Sequence, residues 1–492
     1  MGRKIAPVTV ALVAMLVATT VSTGCWRAEK SPRVLVFGID GATWGVIDEM
    51  MAAGELPTIK KLHERGLHGI LESRPPALSP VVWSTIFTGF SWKVHGVQDW
   101  KTSQSTHRKV KAVWEIASEL GLKTYVLNVP STWPPETVSG GLMSGFPLSG
   151  STIGGNTGDV VTLASFEHPD LAPQYKYNAE PIKKVLAKLE VGQWSEWFDV
   201  GVRGRPKWTA RMRAFCIEAD RFYLTPIYRT DNELVISYPQ ELRGEIEKAT
   251  DDAYVPEGPG WSKYAEEDTP KYLYEHLLQI SQIQTRAAIE LASRPWDLFL
   301  YVNTLVDRVS HPYWAYMRPA DYDGLDAQKA APYADAVKNA YRETDIQLAH
   351  VLEAAGGDPY VVIVSDHGFH SNLNKSQYIG THDFDGVYLV SGPNLPPTKG
   401  GRAYIEDVAP TVLYLLEQQA AQDMEGKVIP ELVDLIGRPV EMRPSYEEGA
   451  DRGSDVPVDA KTWEQLRGLG YVDGAAPRKK EPAPKQVPEK AN

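Results

Sequence analysis

Residues Val361 to Val364 are a run of β-branched side chains that breaks off at once into Ser365, Asp366, His367 and Gly368. Such a run reads as a strand buried on both faces, as in parallel sheets, with polar groups gathered at its carboxyl end. In open α/β sheets ligands bind beyond the carboxyl ends of the strands, so an Asp-His pair there is a candidate metal site. Taken alone, the same letters describe a strand-to-turn junction capped by an aspartate. The pattern recurs, however. Val34 to Ile39 ends in Asp40 and Gly41, and Trp296 to Val302 leads to Asp307 and His311, which four-residue spacing puts on one face of a helical turn. Strands alternating with helical periodicity predict an α/β fold built on a mostly parallel central sheet flanked by helices.

The chain has 492 residues, which suggests one large α/β domain with an elaboration, or two to three domains. A formal charge of −12 argues against non-specific nucleic-acid binding, which needs a basic face to displace counterions. The only cysteines are Cys25 and Cys216, so neither a disulfide framework nor a thiolate zinc site is available. Any metal must be held by carboxylates and imidazoles, and Cys216 reads as a buried apolar filler.

Residues 1–25 have a secretory layout: Arg3 and Lys4, an apolar run from Val8 to Val21, then Ser22-Thr23-Gly24-Cys25. Small residues leading into a cysteine resemble a bacterial lipoprotein signal, cleaved before Cys25 with lipid on its thiol. An uncleaved anchor or a simple signal peptide is the alternative. Either way the body is expected to be exported, and in the lipoprotein case anchored to a membrane on the periplasmic side or at the cell surface. Residues 26–150 and 271–440 read as the α/β core. Between them, 151–270 lose the strand-helix alternation and carry Trp194, Trp197, Trp208 and Tyr228 among Gly and Pro, as expected of an inserted cap that shapes substrate choice. Residues 441–474 form a C-terminal extension, and the Pro- and Lys-rich 475–492 read as a disordered tail.

Further candidates stand at other strand ends and helix starts. Ser79 lies in the breaker-rich stretch Pro75 to Pro80, just before a helical run from Val81 to Phe87, where unpaired amides favour an anionic group such as phosphate. His382 precedes the strand Val387 to Val390 and arrives at the edge of the sheet. Asn128 follows a strand and is placed either to reach a phosphate oxygen or to close an Asx-turn.

Taken in order, Asp40-Gly41, Ser79-Pro80 nine residues before Thr88-Gly89, His95-Gly96, Asp307 with His311, Asp366-His367-Gly368 and Gly380-Thr381-His382 resemble the alkaline phosphatase superfamily, and within it the type I phosphodiesterase and nucleotide pyrophosphatase branch. The resemblance implies an alkaline-phosphatase-like fold and two divalent ions, zinc with manganese as the alternative. Asp307, His311 and His382 would hold one ion, and Asp40, Asp366 and His367 the other. Ser79 would then be both a metal ligand and the nucleophile, giving a phosphoserine intermediate and retention at phosphorus. Coordination suits a weakly acidic hydroxyl to that task. His95 is open between a turn histidine and a catalytic one, and His370 is expected beside the ligands rather than among them.

Monoesterases of the superfamily clamp the phosphoryl dianion with an Arg soon after the nucleophile, and no Arg occurs between Ser79 and Trp100. Diesterases of the nucleotide pyrophosphatase type place an Asn a few residues past His-Gly, and Gln98 and Trp100 stand there. One neutral donor and an apolar wall suit a monoanionic diester, so the expected substrate is a small-molecule or lipid phosphodiester. Arg203, Arg205 and Arg308 are the candidates if an anion clamp exists. The Arg that follows the nucleophile motif in sulfatases is missing here. A phosphomonoesterase, a phospho-group transferase and a lipid-anchored binding protein without turnover are the alternatives.

Overall fold

Alternation along the first strand explains the layering. In β1 (Val34–Ile39), Leu35, Phe37 and Ile39 pack into one apolar cluster while Val34 and Val36 pack into a second, so the strand is covered on both faces. The computed structural model describes residues 32–448, apart from 101, 147–151, 154–158, 167–177, 203, 232–233, 252, 256–268 and 373–379. Cys25, Arg203 and the expected tail lie outside the described residues.

The chain continues through α1 (Trp44–Ala52), α2 (Pro57–His63), β2 (Gly66–Glu72), α3 (Ser79–Thr88), α4 (Trp92–His95), α5 (Val113–Glu119), β3 (Thr124–Leu127) and β4 (Gly141–Met143). An excursion follows: β5 (Thr152–Ile153), β6 (Asp159–Val161), α6 (Ala179–Leu186), β7 (Phe198–Val202), β8 (Arg205–Met212), β9 (Ala214–Glu218), β10 (Arg221–Leu224) and β11 (Ile227–Arg229). The chain then makes β12 (Ser237–Tyr238), α7 (Leu242–Ala249), α8 (Thr269–Ala292), β13 (Leu298–Asn303), α9 (Leu305–Met317), α10 (Ala327–Ala330), α11 (Ala336–Ala355) and β14 (Tyr360–Val364). It closes with β15 (Gly368–Ser371), β16 (Gly380–Asp383), β17 (Asp385–Ser391), β18 (Thr398–Tyr404), α12 (Val408–Leu415), β19 (Ala420–Ala421), α13 (Pro430–Ile436) and β20 (Met442–Arg443).

The central sheet has nine strands in the order β12-β4-β3-β13-β1-β14-β17-β2-β18. All run the same way except β12 and β17, which pair antiparallel to their neighbours. The result is a mostly parallel α/β sheet whose centre, β13-β1-β14, collects strands distant in sequence. Helices α1, α2, α8, α9 and α11 bury apolar residues against one face, and α3, α5 and α12 against the other.

The excursion makes two small antiparallel sheets, β5-β11-β8-β7 and β6-β10-β9, with an apolar cluster of their own that includes Ile182, Leu186, Met212, Cys216 and Phe222. The sequence places the return to the core at residue 271, but the chain comes back earlier. Leu234, Ile236, Leu242, Ile246 and Tyr254 pack with the main core, and β12 adds to the edge of the central sheet beside β4. Two residues of pairing are too short to show periodicity, which is why this return is hidden in the sequence.

Candidate metal centre

Register builds the site. Gly38 pairs with Val364 across β1 and β14, and Ile39 pairs with Asn303 across β1 and β13. Asp40 and Asp366 each stand two residues past the Gly38–Val364 pair, so parallel alignment brings the two carboxylates side by side beyond the sheet. Asn303 ends β13, and its side-chain oxygen accepts the Leu305 amide at 3.0 Å, which helps start α9. Asp307 lies in the first turn of α9 and His311 one turn further, 3.2 Å from carboxylate oxygen to Nε2. His382 comes from β16, opposite Phe369 of β15.

The six side chains converge closely. His367 Nε2 lies 3.5 Å from Asp40 Oδ1, 3.6 Å from Asp366 Oδ2 and 3.7 Å from Asp307 Oδ1. His382 Nε2 lies 3.5 Å from Asp307 Oδ1 and 2.9 Å from His311 Nε2. Two ligand groups can be drawn on donor spacing, Asp40-Asp366-His367 and Asp307-His367-His382, with His311 against the second.

Hydrogen bonds turn the imidazoles toward the centre. His367 Nδ1 stands 3.0 Å from the Gly368 carbonyl and His382 Nδ1 stands 3.1 Å from the Ala77 carbonyl. A carbonyl can only accept, so each Nδ1 carries the proton and each Nε2 offers a lone pair to the cluster. His311 is hydrogen-bonded to the Gly380 backbone. Asp40 accepts from the Trp83 indole N–H at 3.1 Å, and Asp366 accepts from the Gly41 amide at 3.3 Å. Ser365 braces the same loop, accepting from Ala42 N–H at 2.8 Å and donating to the His367 carbonyl at 2.6 Å. Gly38 makes room for this: a Cβ there would lie 2.5 Å from the Trp83 ring. Gly41 has φ +75°, and a Cβ would press on Phe369 and on the Asp307 backbone.

The residues fit divalent cations. Asp40 Oδ1, Asp307 Oδ1, Asp366 Oδ2 and His367 Nε2 are buried without a hydrogen-bond partner, and all four point into the cluster. Burial, and then the neighbouring carboxylates, push Asp40 and Asp366 well above the usual carboxylate range. Burial also acts to raise Asp307, but the His311 and His382 rings hold it well below that range. Burial drives His367 well below its ordinary value and His311 down to about 4, so both rings are neutral at pH 7. Neutral imidazoles and crowded carboxylates with inward lone pairs are what hard or borderline cations require.

Ser79 opens α3 at its first turn, half-buried. Two contacts bracket it: two residues earlier Ala77 accepts from His382, and four residues later, on the same helical face, Trp83 donates to Asp40. Gln98 and Trp100 occupy a loop held by Thr102, whose hydroxyl accepts the Gln98 and Asp99 amides, and Trp100 lies 5.9 Å from the Phe146 ring. Asn128 departs from the expected substrate role. It is buried, and its amide donates to the Val302 carbonyl at 3.0 Å and to Gln284 at 3.3 Å, which ties β3 to β13 and α8. His95 is the last residue of α4: Nδ1 accepts the Val97 amide, so Nε2 carries the proton toward Thr85 Oγ1, 3.0 Å away. His370 is exposed on β15, its Nδ1 bonded to the Ser371 carbonyl.

Sequence reasoning missed Trp83, Ser365 and Phe369. The spacing of Trp83 from Ser79, one helical turn, was the available signal. Phe369 had none, since its contact with His311, 4.8 Å between ring centres, depends on the β15-β16 hairpin.

Residues 34–385 match the model of a family described as type I phosphodiesterase / nucleotide pyrophosphatase, a span of more than half the chain. The chain belongs to that family. The family's description names phosphodiesterases and nucleotide pyrophosphatases, and the described residues of this chain include two groups whose donor spacing could hold a metal ion. Over 103 residues this phosphodiesterase-family chain is 34% identical to the 2,3-bisphosphoglycerate-independent phosphoglycerate mutase of Streptomyces coelicolor. That match takes in 19% of this chain and 20% of the mutase, so it spans about a fifth of the curated relative. Among solved structures, the murine ectonucleotide pyrophosphatase / phosphodiesterase 5 is 9% identical with a TM-score of 0.38, covering 82% of this chain and 99% of the other. The phosphonate monoester hydrolase of Silicibacter pomeroyi is 15% identical with a TM-score of 0.37, covering 84% and 78%.

Proposed function

We propose that this protein is an exported, two-metal phosphoric ester hydrolase that favours phosphodiesters and works through a phosphoserine on Ser79. The observation that carries the reading is the set of unpartnered, inward-facing ligand atoms on Asp40, Asp307, Asp366 and His367 in a chain of this family. Asp307, His311 and His382 would hold one divalent ion and Asp40, Asp366 and His367 the other. When bound, such ions supply charge stabilisation to the transferring phosphoryl group and lower the pKa of hydroxyl groups beside them.

The chain's own residues do the rest. Ser79 attacks phosphorus through Oγ, the phosphorus–oxygen bond to the departing alcohol breaks, and water then releases the phosphoryl group from Ser79. By donating to the Ala77 and Gly368 carbonyls, the His382 and His367 rings are held so that neither can turn away during this cycle. Trp83 fixes the Asp40 carboxylate in the same sense. Trp100 offers an apolar wall to a substituent, which supports a diester over a monoester. Lipidation at Cys25 would tether the enzyme to a membrane, and mass spectrometry of the mature protein checks it: a lipid-bearing Cys25 at the N-terminus is expected, and an intact Met1 would contradict it.

The functional test is release of nitrophenol from bis-nitrophenyl phosphate and from nitrophenyl phosphate, with and without chelator. Turnover that is chelator-sensitive, faster on the diester and lost in Ser79→Ala is expected. Turnover by Ser79→Ala at the parent rate would mean another group attacks.

A further inference from the structure

We propose that Arg308, with Phe146 and Trp100, forms a second subsite that takes an anionic group, a carboxylate or a phosphate, carried on the non-reacting alcohol of the ester. The proposal rests on the two-metal reading above.

Arg308 follows Asp307 directly on α9, so its side chain rises from the turn that builds the cluster, while a helical step of about 100° turns it aside. Its Cζ stands 5.5 Å over the Phe146 ring, and Phe146 lies 5.9 Å from Trp100. Phe146 is buried, which makes it a fixed wall, and Trp100 is half-buried in a loop braced by Thr102. A guanidinium over an aromatic face is held flat, with its donor edge directed past the ring.

Helix α8 packs against α9, the helix that carries Arg308. Asn303, at the end of β13, donates to Ser281 of α8 at 3.4 Å, and His276 lies five residues earlier on the same helix, about 7.5 Å further beyond the carboxyl edge of the sheet. His276 is fully buried and bonded at 2.8 Å to Tyr228 of the excursion, with Trp197 beside it. Burial, and then the charges of Arg213 and Arg308, push its pKa down to about 3. His276 with Tyr228 marks the seam where the small sheets meet the core. Arg213 is fixed there by donating to Ser195 O at 2.8 Å and Gln279 Oε1 at 2.7 Å.

Charge balance then indicates the ligand. Asp40, Asp307 and Asp366 bring three negative charges and two divalent ions would bring four positive ones, a surplus of one that suits a monoanionic diester. A second anion on the substrate calls for a further cation close by, and Arg308 supplies one in a planar, two-toothed form that matches a carboxylate or a phosphate.

The test compares three nitrophenyl phosphodiesters whose second alcohol is propyl, 2-carboxyethyl or 2-phosphonoethyl. In the wild type, kcat/KM for one or both charged esters should exceed that of the propyl ester about tenfold, and which of them leads identifies the anion. Arg308→Gln should bring the ratio close to one, with a smaller loss on the propyl ester, and Arg308→Lys should keep part of the ratio. Added salt should shrink the wild-type ratio, a reading that does not depend on any variant folding. Hydrolysis of all three esters at equal kcat/KM, or a ratio unmoved by Arg308→Gln, would overturn the subsite while leaving the hydrolase standing. No hydrolysis of any ester would overturn both.

Discussion

The cluster at the carboxyl ends of β1, β13 and β14 and the two small sheets of the excursion are both buried and aromatic-rich, yet they are specified in different ways. In the first, parallel pairing fixes where the two central carboxylates fall: once Gly38 aligns with Val364, Asp40 and Asp366 must sit together. In the second, antiparallel strands of two to eight residues are held by their own apolar cluster and by side-chain pairs such as Arg229 with Asp231, 2.6 Å apart and almost fully buried, with Arg229 also over Trp208. On the function proposed above, chemistry resides in the first region. Selection of the substrate can reside in the other if a change there leaves the geometry of the cluster undisturbed.

That contrast has consequences that measurement can break. The largest effect is expected from His382→Ala, which removes a proposed ligand whose ring donates to the Ala77 carbonyl. Turnover of a nitrophenyl diester should fall about a thousandfold, corresponding to roughly 4 kcal/mol at the transition state. The melting of the small sheets, followed by the fluorescence of Trp194 and Trp208, should be unchanged, and equal loss of both would show that the regions are not separable.

Asp231→Ala is the reverse experiment. It leaves Arg229 buried beside Trp208 without its carboxylate, at a cost of about 3 kcal/mol or more. A lowered melting transition with metal content intact is expected. Loss of metal in this variant would mean that the small sheets support the cluster after all.

The last effect, read as a slope in pH, separates fold from chemistry within the core. His95 is fully buried between Thr85 and the Val97 amide, and burial, with the Arg108 charge, pushes its pKa down to about 3, against about 6.5 in an unfolded chain. The folded state therefore keeps the ring neutral where the unfolded state would protonate it. This contribution to stability is present in full above about pH 6.5 and is lost as pH falls toward about 3, by up to about 1.4 kcal/mol per pH unit. Urea unfolding of His95→Gln should be flatter in pH by one proton over that window. An unchanged slope would mean that His95 is charged in the fold.

How far the sequence could be read follows from the same contrast. Most of the converging side chains were legible because they end an apolar run, as Asp40 ends Val34 to Ile39, or share a helical face, as Asp307 and His311 do. Trp83 and Phe369 were not, because what they touch depends on packing between elements distant in the chain. Asn128 misled: a polar residue at a strand end can serve a ligand or a neighbouring strand, and only the position of the Val302 carbonyl decides between them. The return of the chain at Leu234 to Tyr254 was hidden because tertiary burial, not periodicity, places those residues in the main core.

The account turns on whether the convergent carboxylates and imidazoles hold two divalent ions. Elemental analysis of protein reloaded after chelation, read against Asp366→Ala, tests this most directly. Two equivalents in the wild type and about one in Asp366→Ala are expected, because Asp366 belongs to the Asp40-Asp366-His367 group and not to the Asp307-His367-His382 one. Two equivalents retained in Asp366→Ala, or none in the wild type, would contradict it.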